Sequence, residues 1–500
     1  MTSRRRLYTL VFLAGVGTLA TEIGASRLLA PYYGSSTIVW ANIIGLVLAS
    51  LSVGYWLGGR IADRRPSARL LGRLVLLAAL LVAAIPFVAR PLLDIAAKGL
   101  DELSVGAVVG SFFATLFLFA PPVIVLGMVA PFALRLALHE LATAGEVAGR
   151  LYALSTVGSL VGTFVPALIA IPLLGTQRTL LAAAALLAAA AATVLGRRWA
   201  VAAVAIAVLA GIPPGTVKPT GDRVLFEEES PYQFVQVVQD GVARRLYLNE
   251  GIAVHSVWRR DTVLTGGVWD SFLAVPTLLP AAPRSVAILG NAGGTIARAF
   301  REFWPQATID GVEIDPTVTR AARRYLGLRE GPSLHVHDAD ARPFLRRSDA
   351  RYDLVVVDAY HQPYVPFYLA TREFFRLVRM HLRPGGIVAL NVAVTPDDRA
   401  LELGVAGTLA AEFPLVKVWP VLRFNHVVLG FTAPPSMSQY DERLAPLVAL
   451  LTRQLTPAVA PSARPWTDDR APVEWVTDRM ILGYAATGGR LDEDELPTAP

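Results

Sequence analysis

The chain has 500 residues, a formal net charge of +6, a mean hydropathy of +0.48 and no cysteine. Its length calls for two or three domains; the hydropathy excludes a wholly soluble protein, and the lack of cysteine excludes disulfides, thiolate metal sites and cysteine nucleophiles. The seven histidines show no metal-ligand spacing, and arginines flanking apolar stretches account for the positive charge, so neither a metal nor a nucleic-acid partner is expected.

Residues 1–213 read as an all-α polytopic membrane bundle in contact with a lipid bilayer. Apolar stretches at 7–29, 36–58, 69–89, 151–173 and 179–195 approach the ~20 residues that cross a ~30 Å hydrocarbon layer. Residues 104–138 carry Pro121 and Pro122 near their middle and read as one kinked helix or two short ones, while 199–212 is short for a span. The count is therefore six to eight. Arg4, Arg5 and Arg6 before the first span, and Arg60, Arg64, Arg65, Arg69 and Arg73 after the second, place the N-terminus inside. An even number of spans puts the following domain in the cytoplasm too, with the bundle in the plasma (inner) membrane. The first stretch is too long for a cleaved signal core. Glu22 and Arg27 stand in this apolar span, where charge is costly; they read as a structural ion pair, with each other or with a neighbouring helix, or as a polar site for a cationic solute. Gly158 and Gly162 read as helix-packing contacts.

Residues 214–221 form a breaker-rich linker. Residues 222–260 read as a β-hairpin appendage, with strands over 224–238 and 245–257 around Asp240 and Gly241. A helix is expected near 262–279. Within 261–490, strands near 285–290, 308–314, 333–337, 353–358 and 387–393 alternate with helices, giving an α/β, Rossmann-like, methyltransferase-type parallel sheet. Strands at 416–419 and 427–431 add to it, most simply antiparallel. The acidic tail 491–500 reads as disordered.

The most informative stretch is SVAILGNAGGT at 285–295, followed by GVEID at 311–315. A β-run enters a glycine turn that opens a helix, which is how a nucleoside-binding sheet begins. Gly290 and Gly293 are expected to let the backbone approach the ligand, and Glu313 to accept from both ribose hydroxyls. DADARPF at 338–344 and YDLVVVD at 352–358 place further acids at strand ends, where each either does chemistry or caps the next element.

The order SPYQ at 230–233, hairpin, glycine turn, VEID at 312–315, ADAR at 339–342, Asp358 and RPGG at 383–386 resembles the spermidine synthase family of polyamine aminopropyltransferases over about 222–435. EIGASR at 22–27, GGRIADR at 58–64 and GRLYALS at 149–155 look like the membrane region fused to a subset of that family. The resemblance implies decarboxylated S-adenosylmethionine, or S-adenosylmethionine itself, as co-substrate, a small amine as acceptor, no metal, and a homodimer among the expected assemblies. Gln233 then helps to fix the nucleoside, Asp340 (with Asp338 as its competitor) accepts from the adenine amino group, and Asp358 is the catalytic acid.

The chain also departs from the family. Ala292 stands where an Asp usually binds the aminopropyl amine, the run after Asp358 is Ala359-Tyr-His-Gln-Pro363, and Asp270 stands where a Glu is usual. Asp270, Tyr360 and His361 are therefore candidate substrate residues, with Tyr364 and Tyr368 as candidate walls of an amine pocket. Putrescine as acceptor is thereby put in question. Two other functions remain open: methyl transfer or sulfonium rearrangement on the same fold, and a transporter or sensor that binds nucleoside or polyamine without turnover.

Overall fold

A computed structural model of the chain describes residues 4–33, 37–101, 106–138, 143–212, 222–249, 253–360, 364–458 and 464–487. They fall into two compact units, residues 1–219 and 220–500.

The first unit is all helical: α1 (Arg4–Tyr33), α2 (Thr37–Arg64), α3 (Ala68–Asp101), α4 (Gly106–Leu118), α5 (Ala120–Gly127), α6 (Val129–Ala137), α7 (Ala144–Val165), α8 (Ile171–Leu174), α9 (Thr176–Leu195) and α10 (Ala200–Leu209). Among the described residues six helical stretches are long and apolar enough to cross a membrane: Arg4–Ala30, Val39–Arg64, Ala68–Ala89, Ala120–Ala137, Ala144–Leu174 and Thr176–Leu195. This is the lower end of the expected range. Pro121 and Pro122 lie in the first turn of α5, where a missing N–H leaves nothing unpaired, so the helix breaks just before them.

Small residues let these helices touch backbone to backbone. A Cβ on Gly158 would overlap the carbonyl oxygen of Phe12, one on Gly162 that of Val16, and one on Gly15 that of Ser155, all between α1 and α7. Gly54 approaches Ile124, and Gly58 approaches Met128, in the same way between α2 and α5. Dispersion between such surfaces is what holds helices together where no water is displaced. Asn42 Nδ2 donates to Ser111 Oγ at 3.0 Å, a polar tie within this unit. Glu22 and Arg27 are both half-buried. Five residues along a helix separates them by about 140°, so they look in different directions.

The second unit holds two sheets. A four-stranded antiparallel meander runs β1 (Arg223–Glu229), β2 (Phe234–Asp240), β3 (Ala243–Leu248) and β4 (Val254–Arg259). Each strand expected of the hairpin is thus two. The first breaks at Ser230 and Pro231, where Ser230 Oγ accepts from Tyr232 N and Gln233 N, both at 3.0 Å. The second breaks at Asn249, which adopts φ +47°. The helix expected over 262–279 is only a turn, α11 (Val268–Ser271), and a 3₁₀ turn, Val275–Leu278; Gly266, Gly267 and Pro276 interrupt the pattern.

The main sheet has eight strands in the order β12-β10-β11-β9-β8-β5-β6-β7. Strands β5 (Ser285–Leu289), β6 (Thr308–Glu313), β7 (Leu334–Asp338), β8 (Tyr352–Val357) and β9 (Leu382–Ala393) are parallel. Strands β10 (Leu415–Pro420), β11 (Asn425–Phe431) and β12 (Thr456–Pro457) extend it antiparallel, as expected of the first two. Helices α12 (Thr295–Phe303), α13 (Pro316–Tyr325), α14 (Ala341–Arg347), α15 (Arg372–His381), α16 (Ala400–Ala410), α17 (Ala445–Gln454) and α18 (Val473–Ala486) complete the unit. Val286 and Ile288 belong to one core and Ala287 and Leu289 to another, so the central strand is buried on both faces and reads as an unbroken apolar run.

Gly158→Ala should lower the thermal midpoint of the detergent-solubilised protein, by an overpacking cost of roughly 1–3 kcal/mol. Gly149→Ala, whose Cβ would meet nothing within 4 Å, should leave the midpoint unchanged or raise it slightly. Equal effects of the two substitutions would show that α1 and α7 do not pack through Gly158.

Candidate active site

Strand β5 is the point where the strand order reverses: β6 and β7 lie on one side of it, β8 and β9 on the other. In open α/β sheets ligands bind at the carboxyl ends of the strands beside such a reversal. Four of the candidate residues lie at these ends.

The turn after β5 is fixed from both sides. Gly290 N and Asn291 N both donate to Val312 O at 2.9 Å. Gly290 has φ +92°, and a Cβ there would stand 2.6 Å from Ala359 Cα. Gly293 donates its N–H to Ser256 Oγ at 2.8 Å, and a Cβ on it would stand 2.7 Å from Ser256 Cβ. At both glycines the space a Cβ would take is filled by the protein's own chain, and both N–H groups are engaged within it. Ala292 occupies the left-handed region at φ +44°, a strain of about 1–2 kcal/mol for a residue with a Cβ. Its N–H donates to Glu313 Oε2 at 2.9 Å, which holds it there.

Glu313, at the end of β6, is 6% exposed, and its other oxygen accepts from Asp315 N at 3.0 Å. Burial pushes its pKa up to about 7, against these hydrogen bonds. Asp315 is fully buried and caps α13 through Thr317 N at 2.8 Å. Its second oxygen accepts from Ser230 Oγ at 2.6 Å, and this bond brings the β1–β2 turn, with the buried Gln233, to the end of β6. Beside the turn, the amide of Asn291 is 4% exposed, packs on Gly311, and has neither its oxygen nor its nitrogen hydrogen-bonded.

Asp340 caps α14, accepting from Arg342 N at 2.9 Å, and its Oδ2 accepts from Tyr368 OH at 3.0 Å. The exposed Asp338 accepts from Thr319 Oγ1 at 2.6 Å. Tyr364 bonds to Asp478, so neither Tyr364 nor Tyr368 presents a free hydroxyl.

Asp358, at the end of β8, accepts from Asn391 Nδ2 at 2.9 Å and from the side chain of Trp269. Burial lifts its pKa to about 6, opposed by those two donors. Asn391 Oδ1 accepts in turn from Asn425 Nδ2 at 3.0 Å. Tyr360 OH donates to Asn391 O at 3.0 Å and accepts from Ala393 N at 2.9 Å, so this hydroxyl is tied to β9. Asp270 is 1% exposed and spends its carboxylate on Thr265 and Gly266, with N–H bonds of 2.8 Å to each. Burial raises its pKa to about 6. Its bonds to Thr265 and Gly266 shape the segment that carries Trp269. His361 lies outside the described residues. Sequence reasoning missed Trp269 and Asn391 as partners of Asp358, and Asn425 as the partner of Asn391. The one available signal was the polar Asn391 inside the apolar run IVALNVAV.

Residues 270–396 match the family model described as the spermine/spermidine synthase domain. A probable polyamine aminopropyl transferase of Bifidobacterium longum is 36% identical over 192 residues, covering 38% of this chain and 42% of its own. A polyamine aminopropyltransferase of Vibrio vulnificus is 30% identical over 173 residues, covering 34% of this chain and 58% of its own. The human eEF1A lysine and N-terminal methyltransferase is 28% identical over 160 residues, covering 30% of this chain and 23% of its own. The match thus spans about half the length of the two aminopropyltransferase relatives. The strand reversal, the glycine turn and the strand-end acids all lie within residues 270–396, the stretch of this chain that matches the spermine/spermidine synthase domain model.

Proposed function

We propose that this protein is a multi-pass enzyme of the plasma (inner) membrane, with its N-terminus and its second unit cytoplasmic. In this reading the second unit transfers an aminopropyl group from decarboxylated S-adenosylmethionine to a small amine and releases methylthioadenosine. The observation that carries it is Asp358: a carboxylate at the reversal point, held by two neutral donors, with its pKa near neutrality. The similarity to aminopropyltransferases supports the same reading.

The sequence of events follows from the chemistry. An ammonium acceptor gives a proton to the Asp358 carboxylate, and the freed nitrogen lone pair forms a bond to the propyl carbon attached to the sulfonium. The carbon–sulfur bond breaks, its electron pair returns to sulfur, and a neutral thioether leaves. Positioning and deprotonation are the tasks left to the protein, because the sulfonium is already activated. Glu313 has acceptor capacity left for ribose hydroxyls, and the unpartnered amide of Asn291 beside it fits a crevice that takes a polar ligand. Gln233 and Asp340 are assigned to the same nucleoside.

One observation favours a second reading. Ala292 offers no charge to an aminopropyl amine, and its N–H is already bonded to Glu313. Intact S-adenosylmethionine as donor, with methyl transfer, fits that turn equally well.

Calorimetry on the detergent-solubilised protein should show tighter binding of decarboxylated S-adenosylmethionine than of S-adenosylmethionine, and loss of binding in Glu313→Ala. Preference for the intact donor would move the assignment to methyl transfer, and binding of neither would remove both enzyme readings.

Asp358→Asn should lower kcat by about 10²–10⁴-fold while nucleoside binding persists. Because burial raises the Asp358 pKa from 3.8 to about 6, the base is protonated below that value, and the wild-type rate should fall as pH drops through about 6. A rate that falls only near pH 4 would assign the proton to another group.

Hydroxyls donating to Glu313 favour its ionised form and so lower its pKa from about 7. Nucleoside binding near pH 6.5 should therefore release protons, seen as a dependence of the binding heat on the ionisation enthalpy of the buffer. Glu313→Gln should abolish that dependence.

A further inference from the structure

We propose that Asn391 is a positioning residue for Asp358, holding an N–H donor on the reacting carboxylate while Asn425 meets its amide oxygen and Tyr360 pins its main chain. This rests on the reading of Asp358 as the base. An Asn side chain offers a donor and an acceptor of nearly equal size, and in isolation either can face a neighbour. Here the ionised Asp358 carboxylate, which can only accept, sets the choice: Asn391 Nδ2 donates to Asp358 Oδ1 at 2.9 Å. The amide oxygen then faces Asn425, whose Nδ2 donates to Asn391 Oδ1 at 3.0 Å. The main chain of Asn391 is pinned independently, since Tyr360 OH donates to its carbonyl at 3.0 Å and the same hydroxyl accepts from Ala393 N at 2.9 Å.

The strands explain why these residues meet. Asn391 sits near the end of β9, with Val427 of β11 opposite it, and Asn425 begins β11 with Ala393 opposite. Two-residue periodicity puts Asn391 and Asn425 on one face of the sheet, the face whose core includes Ala389, Val427 and Leu429. Trp269 packs against that same core, and its ring lies over Gly267, in the loop that Asp270 holds. The carboxylate is thus approached by Trp269 on one element and by Asn391 on another, both neutral. An ionised carboxylate has about four acceptor positions. Two are taken by these donors, and two remain for the proton of the acceptor amine.

No positive charge does this work among the described residues: the other titratable group that interacts with the Asp358 carboxylate is the Tyr360 hydroxyl, itself committed to β9. A cation in place of Asn391 would hold the carboxylate at low pKa and make it a poor base, whereas an amide orients it and leaves it basic.

Asn391→Leu, and the double variant Asn391→Leu/Asn425→Leu, which leaves no buried amide unpaired, test this. Two readouts are used: the acidic limb of the kcat profile, and the Asp358 titration obtained by comparing unfolding stability against pH with the matching Asp358→Asn protein. The second needs no activity. Losing a hydrogen bond to a charged acceptor should move both readouts to higher pH by about one to two units. Asn425→Leu alone keeps the Asp358 contact but frees the amide to turn, and should give a smaller shift in the same direction. KM for the nucleoside should be unchanged in all three. If the limb and the titration stay where wild type has them in variants that fold, the positioning role is overturned. If the titration shifts while no donor supports turnover in wild type, the positioning stands and the proposed activity fails.

Discussion

The second unit depends on one close approach between two stretches of backbone. Where the turn after β5 passes the end of β8, Gly290 lies so near Asp358 and Ala359 that no side chain fits between them. This contact sets the position of the glycine turn, and with it Ala292, whose N–H meets Glu313. It equally sets the level at which Asp358 leaves the sheet. The carboxylates of Glu313 and Asp358 thus belong to one piece of main-chain geometry. Only glycine satisfies it, because Gly290 must combine φ +92° with the absence of a Cβ.

Three carboxyl groups around this crevice are raised by burial: Glu313 to about 7, and Asp270 and Asp358 to about 6. A folded-state pKa above the unfolded one means that the folded chain binds more protons between the two values, so each group withdraws stability as pH rises through that window. The three differ in what they obtain for this. Asp270 is enclosed by its own loop and organises Trp269. Glu313 holds the glycine turn and retains acceptor capacity. Asp358 is held by Asn391 and Trp269 and is the group whose raised pKa suits a base near neutrality.

The first unit uses the same device, backbone approach through missing side chains, for a different end. Gly15, Gly158 and Gly162 bring α1 and α7 together, and Gly54 and Gly58 do so for α2 and α5. In the second unit the close approach sets where the carboxylates of Glu313 and Asp358 leave the sheet; in the first it brings apolar helices into backbone contact.

Much of this was legible in the sequence because it depends on periodicity and on single residues. The six helices that are long and apolar enough to cross a membrane, among the described residues, follow from runs of apolar residues, the parallel strands from the run before the glycine turn and from short apolar runs such as LVVV at 354–357, and the strand-end acids Glu313, Asp340 and Asp358 from their place after those runs. The packing role of Gly158 and Gly162 was legible for the same reason. Tertiary structure alone decided what each of these groups touches. Gly290 and Gly293 are glycines because residues 256, 358 and 359 pass beside them, at separations of about 37 and 68 residues that no local pattern encodes. Asp270 turned inward, Tyr360 was taken by β9, and Asn391 and Asn425 met across two strands. A sequence states which chemical groups are available and how often they recur; which donor faces which acceptor is set only when distant segments share a sheet.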